Sequence, residues 1–293
     1  MRTISIAALN IVLPGPHHPN KYGAFWSDAA KRRSPVKVRG DTGGMIGSAQ
    51  NGPGGEYIWG DLFKFVNIDL AGPWLDIATR EAAPPEDVGR KVVIPETYRP
   101  NLRALPYVFF PSSHRLFFIS SLDLKHKLSP GMAKRMIEEI LLAPALVAEF
   151  GAVTVTVEPD RETLRKIFAL PVLKKISMVV SPPNALGDVE RELLRYMAEQ
   201  HATKYTQELT SNHPQGLELT PHTMQVAKAA QSNGYVSASG VNDEGITVKL
   251  STVDHPQEEK VLYNTNVTTP SDVLHETAKE MLIDILGREP AGG

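Results

Sequence analysis

The sequence contains no cysteine. This absence excludes disulfide bonds, a thiolate nucleophile and any zinc or iron–sulfur site held by cysteine. It is consistent with a reducing compartment, and we expect a cytoplasmic protein. No apolar run approaches the roughly 18 residues that a membrane span requires. The apolar segment 4–13 contains Asn10 and ends at Pro14, so it predicts a buried first strand rather than a signal peptide.

The sequence also lacks an excess of charge of either sign. Lysine and arginine number 31 against 33 aspartate and glutamate, for a net charge of −2. A protein that binds nucleic acid through its overall charge is positive, so any such binding here must depend on local patches. Hydrophobic residues make up 42% and charged residues 22% of the chain, as in folded globular proteins.

Hydrophobic periodicity and turn signals predict an α+β fold, with mixed β-sheets flanked by helices. The predicted strands span 4–13, 36–39, 57–69, 107–110, 115–121, 153–157 and 173–180, and the predicted helices span 21–33, 130–150 with a break at Pro144, 161–169 and 187–201. Segment 40–55 holds seven glycines and is predicted to be a loop or hairpin tip. Segment 71–103 is predicted to be an irregular connection.

The pattern changes after residue 203. Beyond it we predict a helix over 220–232, three short strands (235–239, 246–253 and 260–265) and a last helix over 270–286. The sequence therefore indicates a main α/β domain over 1–203 and a C-terminal three-strand plus helix portion over 204–293. Whether this portion packs on the first as one unit stays open.

Basic residues form three groups along the chain. The first basic group is Lys21, Lys31, Arg32, Arg33, Lys37 and Arg39; the second is Arg161, Arg165, Lys166, Lys174 and Lys175; the third is Lys125, Lys127, Lys134 and Arg135. If these groups converge in space, they form a surface that can follow a phosphate backbone. The alternative is that each group is an ordinary solvated face. No metal or cofactor site is expected.

One pattern suggests hydrolytic chemistry instead. Asp254 is followed by Glu258 and Lys260, and Asp243 is a further candidate acid. Alternation along a strand would place Glu258 and Lys260 on the same side, as the metal site of a nuclease requires. The charged end of a hairpin can have the same sequence pattern. Both interpretations, a metal site and a charged hairpin end, stay open.

Long segments of the chain resemble a group of bacterial defence-associated proteins of uncharacterised function. The segments that carry the resemblance are ISIAALNIVLP, VRGDTGGMIGS, YIWGDLFKFVNID, PYVFFPSSHRLFFIS and VTVTVEPDRETLRKIFALPVLKKISMVVSPPN. The last of them also resembles a stretch of the RexA-like phage exclusion proteins. Those proteins bind double-stranded DNA without strong sequence preference and act as dimers. The resemblance implies phosphate contacts by Arg165, Lys166, Lys174 and Lys175, and it implies no catalytic residue.

Three hypotheses follow from these observations. The first is a non-enzymatic nucleic-acid-binding component of a phage defence or exclusion system, acting as a homodimer or with a partner protein. Its expected contact residues are Lys31, Arg32, Arg33, Lys37, Arg39, Lys134, Arg135, Arg165, Lys166, Lys174 and Lys175. The second is a metal-dependent nuclease that uses Asp254, Glu258 and Lys260. The third is a sensor or assembly subunit whose apolar helices, 130–150 and 270–286, bind another protein.

Overall fold

The computed structural model describes residues 1–15, 18–70, 72–182 and 188–286. Its strands are β1 Arg2–Val12, β2 Val36–Arg39, β3 Thr42–Ile46, β4 Gln50–Asn51, β5 Ile58–Val66, β6 Trp74–Asp76, β7 Glu81–Ala83, β8 Arg103–Phe110, β9 Arg115–Ser121, β10 Thr154–Val157, β11 Val172–Val180, β12 Tyr205–Thr210, β13 Gly234–Val241, β14 Thr247–Ser251 and β15 Glu258–Tyr263. Its helices are α1 Pro19–Lys31, α2 Pro85–Lys91, α3 Pro130–Leu141, α4 Pro144–Phe150, α5 Arg161–Phe168, α6 Asp188–Glu199, α7 Pro221–Asn233 and α8 Pro270–Leu286, with a short 3₁₀ turn at Pro53–Gly55. The predicted α+β class is confirmed.

The larger sheet is antiparallel and runs in the order β10-β1-β9-β8-β5-β3-β2. Strands β15 and β10 pair with successive parts of β1, so they lie end to end along it. Helix α3 packs against both β2 and β10, which are the two ends of this order. The sheet therefore curls around α3 without closing, and the amphipathic α3 occupies the gap between its edges.

Aromatic side chains fill the core of the larger sheet. Trp26 of α1 stacks on Phe109 and donates a hydrogen bond of 2.9 Å to the Tyr107 hydroxyl. Alternation along β8 places Phe110 on the opposite face, where it contacts Tyr57. The Tyr57 ring in turn meets His275 of α8. Helices α1 and α8 therefore cover opposite faces of the sheet, and this explains why the central strands are buried on both faces.

The smaller sheet has four antiparallel strands in the order β12-β11-β13-β14. Helix α7 packs on β11 and β13. Ile176, Met178 and Val180 are buried on the helical side, while Lys175 on the other side is exposed. This one-sided burial produces the alternation expected of a sheet with one solvated face.

The predicted division after residue 203 does not coincide with the division between the sheets. Strand β11 precedes this residue but pairs with β12 and β13, which follow it. Strand β15 lies near the C-terminus but pairs with β1. Each sheet therefore contains strands from both sides of residue 203.

Two predictions of irregular structure are corrected. Segment 40–55, predicted to be a loop or hairpin tip, forms the turn between β2 and β3 but also contains β3 and β4 themselves. Glycine favours loops by propensity, but a Cβ on Gly44 would lie 2.1 Å from Met136 Sδ, so the strand needs glycine to let α3 approach. Segment 71–103 contains the β6–β7 pair and α2. Strand β12 was not predicted, since its Thr and Glu residues give a weak apolar signal.

Candidate nucleic-acid interface

The first basic group lies where α1 ends and β2 begins. Arg33 has a φ of 49°, a left-handed conformation that reverses the chain after the helix. The side chains of Arg32, Arg33, Lys37 and Arg39 are exposed. Lys31 forms an ion pair with Asp28 at 3.1 Å. Lys21 lies ten residues before Lys31, about 15 Å away along the helix axis, and its amine donates to the Pro14 carbonyl.

Packing of α3 on β2 adds two residues of the third basic group. The Arg135 guanidinium donates from Nη1 to the Val38 carbonyl oxygen at 3.3 Å. Lys134 lies 3.6 Å from the Glu138 carboxylate. We name the resulting region the β2–α3 surface; it consists of Lys31, Arg32, Arg33, Lys37, Arg39, Lys134 and Arg135. In the part of the chain that the structure describes, Arg32, Arg33, Lys37, Arg39 and Arg135 form no ion pair.

The second basic group lies on α5 and β11, away from this surface. Helix α5 packs against α7 and β14, and neither α5 nor β11 packs extensively on β2 or α3. Two of its cations are ion-paired, Arg165 with Glu162 at 2.7 Å and Lys175 with Glu208 at 2.8 Å. Lys174 donates to the His213 carbonyl, Lys166 is exposed, and the side chain of Arg161 lies outside the described residues. The structure thus brings most of the first group beside two residues of the third, Lys134 and Arg135.

Two cations near the β2–α3 surface were not singled out from the sequence. Lys64 of β5 lies directly opposite Arg103 of β8. The Lys64 amine donates to the Lys127 carbonyl oxygen at 2.6 Å. Burial lowers the pKa of Lys64, and the nearby Arg103 lowers it further. Only strand register could have revealed this pair, because 38 positions separate the two residues along the chain.

A buried polar seam joins the two sheets. Arg115 Nε lies 3.0 Å from Glu158 Oε2, and the two side chains are only 2% and 5% exposed. The contact is an ion pair whose N–H is poorly aligned with the oxygen. Arg115 Nη1 donates to Asn10 Oδ1 at 2.6 Å, and Asn10 Nδ2 donates to the Ser232 carbonyl at 2.8 Å. Two sequence features could have indicated these buried polar contacts: Asn10 lies within an apolar strand, and Arg115 precedes an apolar run.

The seam continues beneath α1. The His114 ring stacks on Tyr22, with centroids 3.9 Å apart and planes inclined by 13°. His114 is buried and has a φ of 62°, in the left-handed region. Burial raises the pKa of Tyr22, whose oxygen accepts a hydrogen bond from the Leu13 amide. These groups are buried, so their contacts help to hold the fold together.

Two carboxylates of the nuclease hypothesis lie at opposite ends of β14. Asp243 lies in the turn before β14 and Asp254 in the turn after it. Five residues of extended chain separate these turns by about 17 Å. Glu258 and Lys260 are exposed on β15. Among the described residues, no three His, Asp or Glu side chains lie close enough to hold a metal ion.

The helices expected to bind a protein partner use their apolar faces internally. Ala133, Met136 and Ile137 of α3 are buried in the core of the larger sheet. Leu274, Ala278 and Met281 of α8 are buried in the same core. A partner would therefore have to contact other parts of the surface.

One family comparison covers this chain. The family described as a domain of unknown function, DUF4747, matches residues 2–279, so the match takes in both sheets and most of α8. No curated protein matches the chain. In the described ranges no helix combines the length and apolar character needed to cross a membrane.

Proposed function

We propose that this chain, which belongs to the DUF4747 family, binds nucleic acid through the β2–α3 surface. Double-stranded DNA is the ligand that the RexA-like resemblance favours. The same resemblance supports a non-enzymatic role in a bacterial phage defence or exclusion system, within the cytoplasm. The observation that carries the proposal is the packing of α3 on β2, which places Lys134 and Arg135 beside the basic residues that follow α1.

The electrostatics of this surface suit a phosphate backbone. Five exposed arginine and lysine side chains there lack a carboxylate partner among the described residues. Each phosphate contact releases condensed counterions, so affinity depends steeply on salt even when the whole protein is close to neutral. Contacts of this kind position a duplex without reading its sequence.

Arg33 provides a second argument for a role of this surface. A left-handed backbone costs an L-residue about 1–2 kcal/mol, and glycine is the usual choice after a helix. The chain instead has an arginine with a φ of 49° at this position. An unfavourable conformation that keeps an exposed cation is consistent with selection for the side chain rather than for stability.

The test is a salt titration of duplex binding, followed by fluorescence anisotropy. The variant carries Arg32→Gln, Arg33→Gln and Arg39→Gln together. The matched control carries Arg165→Gln and Lys175→Gln, which remove two cations already paired with carboxylates. Each lost phosphate contact should reduce the slope of log affinity against log salt by about 0.9.

We expect the triple variant to lose most of the salt dependence and the control to retain it. Circular dichroism and unfolding curves of both variants confirm that they remain folded. Equal affinity and slope for the wild type and the triple variant would refute the β2–α3 surface. No binding by the wild type at low salt would refute the nucleic-acid proposal as a whole.

A dimer is the second part of the proposal. Among the described residues, seven of the fifteen exposed large apolar side chains fall between positions 68 and 102: Ile68, Leu70, Leu75, Ile77, Val93, Tyr98 and Leu102. Exposed apolar side chains mark an association surface where they form one contiguous patch, and this stretch of chain is the candidate for such a patch. A second copy of the chain is the occupant that the resemblance implies. Sedimentation should show a dimer in the wild type that Ile77→Glu converts to monomer; a monomeric wild type would contradict this part.

A further inference from the structure

Two like charges lie opposite each other at the junction of β5 and β8. Lys64 pairs in register with Arg103, so their side chains share one face of the sheet. Like charges in this arrangement are destabilising. Both residues are half-buried, which limits the solvent available to screen them. The fold therefore retains an unfavourable arrangement that a hydrophobic or acidic residue at either position would relieve.

No carboxylate offsets this repulsion. Within the described residues, neither Lys64 nor Arg103 takes part in an ion pair. The charged group that acts on Lys64 is Arg103 itself. The acceptor of the Lys64 amine is the backbone carbonyl of Lys127, which carries no formal charge. Lys64 and Arg103 therefore leave a local positive potential that no ion pair among the described residues neutralises.

The Lys64 amine and the Arg103 guanidinium can each donate further hydrogen bonds. An ammonium group has three N–H bonds and a guanidinium has five. Among the described residues, the Lys64 amine donates to one acceptor, the Lys127 carbonyl, and the Arg103 guanidinium donates to one, the Leu102 carbonyl. A tetrahedral oxyanion presents several acceptor oxygens and would also remove the repulsion between the two cations.

We propose that Lys64 and Arg103 form a binding site for a phosphate group. The ligand is either a phosphodiester of a nucleic-acid backbone or a free phosphate ester, since both present the same anionic oxygens. The phosphodiester alternative rests on the proposed function, because it extends the β2–α3 surface across the sheet toward β8. The phosphate site itself does not depend on nucleic-acid binding.

The first experiment uses inorganic phosphate and the full chain. We measure the Tm in phosphate and in chloride at equal ionic strength for the wild type, Lys64→Gln, Arg103→Gln and the control Lys249→Gln. Lys249 is an exposed lysine of the smaller sheet. Phosphate should raise the Tm of the wild type and the control, and this rise should be lost in the other two variants. In chloride, Lys64→Gln should melt no lower than the wild type, because it removes a repulsion.

The same variants then distinguish the two sources of phosphate. Weakening of duplex binding by about tenfold in Lys64→Gln, as expected for a lost charge-assisted hydrogen bond, assigns the site to the backbone. Unchanged duplex binding together with weaker binding of a mononucleotide assigns it to a free phosphate ester. An equal phosphate-induced rise in Tm in all four proteins overturns the site. That result would leave the β2–α3 surface and its own salt test unaffected.

Discussion

The two sheets hold their cations in different ways. On the smaller sheet and its helices, several arginine and lysine side chains pair with carboxylates four or fewer residues away or on the next strand, as in Arg165–Glu162 and Lys175–Glu208. On the β2–α3 surface of the larger sheet, five cations have no such partner among the described residues. Similar groups of basic residues therefore differ in how many of their charges are free to bind an anion. The difference depends on whether the fold places a carboxylate beside each cation.

The two sheets also differ in how they are buried. The central strands of the larger sheet are covered on both faces by apolar side chains, whereas the smaller sheet has one polar face. Polar contacts mark their junction, where Arg115, Glu158 and Asn10 meet the end of α7. A junction made of hydrogen bonds and an ion pair requires specific partners, so single substitutions there should separate the behaviour of the two sheets.

The largest effect is expected from Glu158→Gln. Removing one partner of a buried ion pair leaves an uncompensated charge and costs about 3–5 kcal/mol. Urea unfolding should be followed by tryptophan fluorescence and by circular dichroism. All three tryptophans, Trp26, Trp59 and Trp74, precede the smaller sheet, so fluorescence reports on the other part of the molecule.

In this variant the two unfolding curves should separate, whereas they should coincide in the wild type. The control is Glu162→Gln, which breaks the exposed pair with Arg165. Those side chains are 56% and 74% exposed, so the expected cost is below about 1 kcal/mol. If Glu158→Gln also cost less than about 1 kcal/mol, the seam would not stabilise the fold.

The next effect concerns the contact that builds the β2–α3 surface. A Cβ at Gly44 would overlap the Met136 side chain, so Gly44→Ala must move Met136 at the contact between α3 and the sheet. Overpacking of this kind costs about 1–3 kcal/mol. Both the free energy of unfolding and the affinity for duplex DNA should fall.

Gly23→Ala is the matched control for this change. Gly23 lies inside α1, and an added Cβ there meets nothing within 4 Å. This variant should gain about 0.5–1 kcal/mol from the better helix propensity of alanine. If Gly44→Ala were as stable as Gly23→Ala, the close approach of α3 would not need glycine.

Arg33→Gly should change stability and binding in opposite directions. Glycine adopts the left-handed conformation at this position without steric cost, so the free energy of unfolding should rise by about 1 kcal/mol. Loss of the guanidinium should weaken duplex binding and reduce its salt dependence. Thermal unfolding and anisotropy measure the two changes. A variant that is less stable than the wild type would contradict the assigned backbone strain.

The smallest effect is a pH dependence within the larger sheet. Burial lowers the pKa of His275, nearby Lys279 lowers it further, and Asp272 opposes them. The ring contacts Tyr57 and Trp59, which carry no charge at neutral pH. Since the unfolded chain binds the proton more readily, stability is fully present above the unfolded pKa of about 6.5 and falls as the pH drops below it.

His275→Phe keeps the aromatic contacts and removes the titrating group. The slope of unfolding free energy against pH, measured between neutral and mildly acidic buffer, should be smaller in this variant. The slope should be unchanged in His222→Gln, since His222 is exposed on α7. Identical slopes in the wild type and His275→Phe would assign the pH dependence to other groups.

Local sequence signals determined most helices and strands of this protein. Ser129 and Thr220 accept capping hydrogen bonds at the starts of α3 and α7, Pro144 separates α3 from α4, and alternation over 173–180 marks β11. These features are encoded within one or two turns of chain, and hydrophobic periodicity reports them directly. The basic groups and their members were visible in the same way.

Only the tertiary structure decided which of these pieces meet. Gly44 lies in β3, where the side chain of Met136 from α3 occupies the space that a Cβ would fill. Lys64 faces Arg103 because β5 pairs with β8 in one register. Arg115 finds Glu158 across 43 positions of sequence. Such contacts depend on strand order and helix packing, for which neighbouring residues carry no signal. Whether a cation is paired or available for a phosphate follows from the same long-range contacts.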